Sequence, residues 1–111
     1  MVTRDVNLRV TLLANQGRRI SKPSPLTGRI VQLIPHFPGG CNQLVDMAVG
    51  HRDTWILPHQ VDTFIALNDA TPVFTIDEPI EKGEEIWLIG GNGDGANPHS
   101  ISCAFTIIGV E

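Results

Sequence analysis

The residues with the sharpest chemical potential are His51, Asp53 and His99. His51-Arg-Asp53 has the form His-x-Asp. Residues i and i+2 of a strand share one face, so the pair could chelate one ion with His99 as a second imidazole. The loop Gly90-Gly-Asn-Gly-Asp-Gly-Ala-Asn-Pro-His99 is the other conspicuous feature. Asn92, Asp94 and Asn97 offer the oxygens that calcium prefers. Yet Asp94 comes one position early for the repeating calcium motif Gly-Gly-x-Gly-x-Asp, and the motif occurs once. The loop therefore reads first as a chain reversal, in which Gly, Asn and Asp accept positive φ. It is not a phosphate cradle, because it runs through Pro98 into a strand and does not open a helix. The four histidines, at 36, 51, 59 and 99, form no His-x-His or His-Glu-x-x-His pair.

Other chemistries leave fainter marks. No Gly-x-Ser-x-Gly elbow is present. Cys103 lies on the apolar side of an alternating strand and reads as a buried thiol. Cys41 follows Gly39-Gly40 and reads as a loop thiol, with a Cys41–Cys103 bridge as the alternative. Nothing nearby in sequence would activate either as a nucleophile. Glu78, Glu81, Glu84 and Glu85 flank a Lys-Gly turn, the pattern of a solvated tip. A glycosidase would need two such carboxylates across a groove. Trp55 lies in a short strand and could serve as a sugar-binding platform. Trp87, in Glu85-Ile-Trp-Leu-Ile89, reads as core.

The elements that must position these residues are strands. Val6-Asn-Leu8-Arg-Val10-Thr-Leu12 alternates strictly, as a half-buried strand does. Ile101, Cys103, Phe105 and Ile107 alternate in the same way. Between them, short apolar runs recur at roughly 8–14 residues, separated by Gly, Pro, Asn and Asp. The one window that could hold a helix is 59–67. The fold class is all-β: an antiparallel, jelly-roll-like β-sandwich of about eight strands with an extended N-terminal arm. Residues 1–22 read as that arm, packed on its own or a neighbouring subunit, and 23–111 as a single sandwich domain.

Composition narrows the function. The 111 residues are 41% apolar and 18% charged, enough for one core and one domain. A net charge of −4 argues against nucleic acid as a partner. The charge is uneven. Residues 1–55 carry seven Lys/Arg and three Asp; residues 56–111 carry one Lys and nine Asp/Glu. The basic residues are too dispersed for a nucleic-acid arm, so the split suits contact between the two halves, within a subunit or between neighbours. No run reaches signal-peptide or membrane-spanning length, so a soluble chain without a membrane partner is expected.

The basic segment Arg4–Pro25, the succession of short strands and the phrase Pro79-Ile-Glu-Lys-Gly-Glu-Glu-Ile-Trp-Leu88 resemble the small jelly-roll and sandwich proteins of viruses and phages. The resemblance is one of architecture and covers most of the chain loosely. It implies a non-enzymatic coat, decoration or spike subunit of a virion, without a cofactor, that binds itself or a larger protein lattice. Val6, Leu8, Val10 and Leu12 would then dock into a sheet of the same or a neighbouring subunit. Two alternatives stand beside it: a carbohydrate-binding module using Trp55, and a small cupin-like metal enzyme using His51, Asp53 and His99.

Overall fold

A computed structural model describes all residues, Met1–Glu111. It contains nine strands and no helix: β1 (Val2–Leu12), β2 (Gly17–Pro23), β3 (Thr27–His36), β4 (Val45–His51), β5 (Thr54–Leu57), β6 (Ile65–Ala66), β7 (Phe74–Ile80), β8 (Glu85–Asn92) and β9 (His99–Val110). One sheet has the order β1-β9-β3-β7. The other has the order β2-β8-β4-β5, with β6 also paired to β4. Every pairing is antiparallel.

The topology is that of a hairpin rolled up on itself. The first strand pairs with the last, β2 with β8, β3 with β7, and β4 with β5 across the turn at Arg52 and Asp53. This nesting is the jelly roll expected from the strand spacing. The window 59–67 forms turns and then β6, with Ile65 opposite Met47 and Ala66 opposite Asp46, and not a helix. The edge of β4 offers main-chain partners there that a two-turn helix would forgo.

Alternation explains the core. Val6, Leu8, Val10 and Leu12 of β1, and Ile101, Cys103, Phe105 and Ile107 of β9, are buried, with polar neighbours between them along β1. They meet Val45, Met47 and Val49 of β4 and Ile86 and Leu88 of β8 between the sheets. The four β1 side chains dock into the chain's own core, and β1 pairs with β9 without a break from Val2–Gly109 to Leu12–His99. Residues 1–22 thus divide between the sheets, β1 in one and most of β2 in the other.

Trp87 is buried on the opposite face of β8. It pairs with Gly50, and a Cβ at Gly50 would come within 2.5 Å of the indole. The indole N–H donates to the Arg52 carbonyl at 2.8 Å. Trp55 packs on the same indole, Arg19 lies over it, and Phe64 packs in turn on Trp55.

Candidate functional site

The fold separates the residues whose spacing suggested one metal site. His51 ends β4 opposite Ile86, whereas Val45 at the other end of β4 lies opposite Asn92. His99 belongs to the Asn92 end, where it contacts Asp94. A seven-residue strand spans about 20 Å, so His51 and His99 sit at opposite ends of the sandwich. Asp53 is exposed in the β4–β5 turn, while His51 is 6% exposed and turned toward the core. The His-x-Asp reading fails because the strand ends between its two members.

At the first end, His51 joins the sheets. Its Nε2 lies 2.9 Å from Glu78 Oε1 of β7, and its Nδ1 lies 3.4 Å from Glu84 Oε1 in the β7–β8 turn. Arg52 Nε reaches the same Glu84 oxygen at 2.9 Å. An imidazole with an acceptor at each nitrogen is hydrogen-bonded at both only when it carries two N–H groups. The two carboxylates face opposite edges of the ring, so they cannot converge on one ion with it. Burial acts to raise the Glu84 carboxyl. The Glu81 amide, His51 and Arg52 outweigh it and hold Glu84 below the usual range. A cleft of about 380 Å³ opens beside this cluster, lined by Thr27, Glu81, Arg52 and Glu84 among others.

The Glu81–Glu85 tip is not uniformly solvated. Glu84 is in fact turned inward, its side chain 8% exposed. The missed signal was Glu78, which continues the inward alternation Phe74, Ile76, Ile80 of β7. A carboxylate at a core-facing position needs a buried partner.

At the second end, the Gly90–His99 loop is closed by its own polar groups. The Asn92 amide nitrogen donates to the carbonyls of Leu12, Leu13 and Asn97, and its Oδ1 accepts from the Asp94 N–H. Asp94 Oδ1 accepts from the Ala96 and Asn97 N–H groups, and Oδ2 lies 2.9 Å from His99 Nε2. The Asn92 and Asp94 oxygens are thus turned to internal donors, because the loop must satisfy its own backbone while it crosses from one sheet to the other. The Asn97 side-chain N–H also donates, at 3.4 Å, to Asp94.

Behind His99, its Nδ1 lies 4.0 Å from Cys41 Sγ. Thiol, imidazole and carboxylate are therefore in relay order, a grouping that no spacing in the chain announces. The thiol is fully buried, and burial pushes Cys41 above its ordinary value. Both properties oppose nucleophilic chemistry. Cys103 is likewise buried and pushed up to about 12, and the two cysteines are free.

Asp94 supplies a pH prediction. His99 first, and then the amides of Ala96 and Asn97, hold its carboxyl down to about 2 from 3.8. A depressed carboxylate contributes stability that is present above its unfolded value and lost as pH falls through its folded one. Asp94→Asn should therefore lower the urea midpoint at pH 4.5, and the gap to wild type should narrow steeply toward pH 2 and close below it. An undiminished gap at pH 2 would exclude the ionised carboxylate as its source.

Trp55 is half-buried and packed edge-on against Trp87 at 5.0 Å and Phe64 at 5.8 Å. The more open ring of the trio is Phe64, 41% exposed.

The remaining surface feature is an edge. The outer strands are β1 and β7 in one sheet, β2 and the β5–β6 pair in the other. β7 carries Pro79 and a register shift against β3; β2 ends in Pro23; β5 has four residues and a register shift against β4. Such features blunt an edge. β1 has eleven residues, no proline and no shift.

No family model matches the chain, and no curated protein matches it. Among solved structures, one titled as the crystal structure of FlhE is similar in outline. It shares 9% sequence identity over 95% of this chain and 96% of that chain, with a TM-score of 0.49. A likeness at that level carries no functional argument.

Proposed function

We propose that the chain is a non-enzymatic structural subunit, a coat, decoration or spike component of a virion, that self-associates through a sheet edge. The observation that supports this reading is the free edge of β1: eleven residues with neither proline nor bulge, beside three edges that carry such breaks. An unpaired edge of that length offers a template for another strand. The reading also takes support from a jelly roll whose polar clusters are spent on internal hydrogen bonds and ion pairs.

Light scattering over a wide concentration range tests the self-association. The mass should rise from 12.1 kDa toward an oligomer as concentration increases. A monomer mass at every concentration would remove the proposal. Peptide mass spectrometry of purified particles tests the virion role separately.

A further inference from the structure

The direction of the β1 main chain narrows how a partner can dock. In an antiparallel strand the N–H and C=O of one residue point to the same side, and successive residues alternate. The Asn7 carbonyl accepts from the Lys22 ammonium at 2.9 Å, away from β9. The odd-numbered residues Thr3, Asp5, Asn7, Arg9 and Thr11 therefore present their main-chain groups to the free edge. Their side chains lie on the exposed face, while Val6, Leu8, Val10 and Leu12 point into the core.

Resting on the self-association just proposed, the geometry points to a second copy of this chain as the occupant, bound antiparallel about a two-fold axis through Asn7. In that register Asn7 faces the partner's Asn7, Asp5 faces the partner's Arg9, Arg9 faces the partner's Asp5, and Thr3 faces the partner's Thr11. Each facing pair exchanges main-chain hydrogen bonds, about ten in all. Opposite charges face each other twice, which favours the pairing, and the contact is self-complementary as a two-fold interface requires. Other registers that keep the hydrogen bonds lose this match. Centring the axis on Asp5 or on Arg9 sets like charges face to face. Centring it on Val6 or Leu8 sets Asp5 or Arg9 against an uncharged residue.

A cleft of about 330 Å³ runs beside residues 4–7 of β1, with Lys22, Pro23 and Pro25 on its far side. Two side chains bond free-edge carbonyls, Lys22 at Asn7 and Arg4 at Thr3, 3.0 Å away. Lys22 has to release Asn7, and Arg4 has to release Thr3, before the partner's N–H groups can replace them, as basic side chains that guard sheet edges do. The four-stranded sheet then continues through the axis into the same sheet of the partner.

Charge exchange tests the register. Asp5→Arg and Arg9→Asp should each weaken the dimer about tenfold in light scattering, and the double variant D5R/R9D should restore it to within about threefold of wild type. Lys22→Ala should tighten it. Asn7→Cys should give a disulfide-linked dimer on oxidation, because facing residues of a hydrogen-bonded pair stand about 5.5 Å apart at Cα. The native thiols are buried and do not compete.

Asp5 also accepts the Thr106 hydroxyl at 2.9 Å, so Asp5→Arg, unlike Arg9→Asp, loses an internal bond as well. Restoration by the double variant separates that loss from the interface effect. Wild type that dimerises but is indifferent to both single variants, or a double variant that fails to recover, overturns this register and leaves self-association standing. A wild-type chain that stays monomeric overturns both.

Discussion

Deleting residues 1–12 should leave a chain that does not fold. β1 supplies Val6, Leu8, Val10 and Leu12 to the core, none more than 7% exposed. Each such side chain contributes about 1.5–3 kcal/mol by burial. Four of them rival the whole stability of a small domain, about 5–15 kcal/mol. The deletion also uncovers β9, whose inward residues Ile101, Cys103, Phe105 and Ile107 would face solvent along the vacated side. Circular dichroism should show loss of the strand signal, and the product should aggregate or stay disordered. A cooperative melt from the truncated chain would refute the account. The same deletion is therefore a poor probe of assembly, which point changes on the exposed odd-numbered positions of β1 address without touching the core.

Placing a methyl group at Gly28 or Gly109 should cost about 3 kcal/mol each, the upper range for overpacking. The two glycines face each other where β3 and β9 pair. A Cβ at Gly28 would run into the Ile108 carbonyl and come within 2.6 Å of the Gly109 Cα. One at Gly109 would run into the Thr27 carbonyl and come within 2.8 Å of the Gly28 Cα. These obstacles are backbone, which cannot rotate away as a side chain can. Relief requires parting two central strands. Gly28→Ala and Gly109→Ala should lower the melting temperature by roughly 10 °C or more. Gly17→Ala is the control, since the nearest atom to its Cβ is the Gly90 carbonyl oxygen at an ordinary 3.6 Å. Equal melting temperatures for all three variants would show that β3 and β9 yield more easily than their geometry implies.

The fold was legible because its period is local. Inside–outside alternation in β1 and β9 needs only the pleat of a strand, and turn residues between the short runs need only backbone sterics. The polar sites were not legible, because each is assembled from distant segments. His51 meets Glu78 and Glu84 only after β7 folds over β4, and Cys41, which follows β3, meets His99 only after β9 pairs with β3. The window 59–67 misled for a related reason. Its apolar residues fit either period, and an available edge on β4 decided between them.

The charge split shows where sequence stops and tertiary structure begins. By itself the chain determines that its first half is basic and its second half acidic. It does not determine whether the halves meet within a subunit or between neighbours. The rolled hairpin decides much of this, since it lays early strands beside late ones. Arg4 pairs with Glu111 at 2.6 Å, Arg29 with Asp77, and Arg52 with Glu84, each joining the first half to the second within one chain. The Arg4 and Arg29 pairs are exposed and worth little as stability. They match the nesting of the strands, because charges attract only where the backbone has brought them close. Composition could count the charges. Their placement needed every pairing of the roll at once.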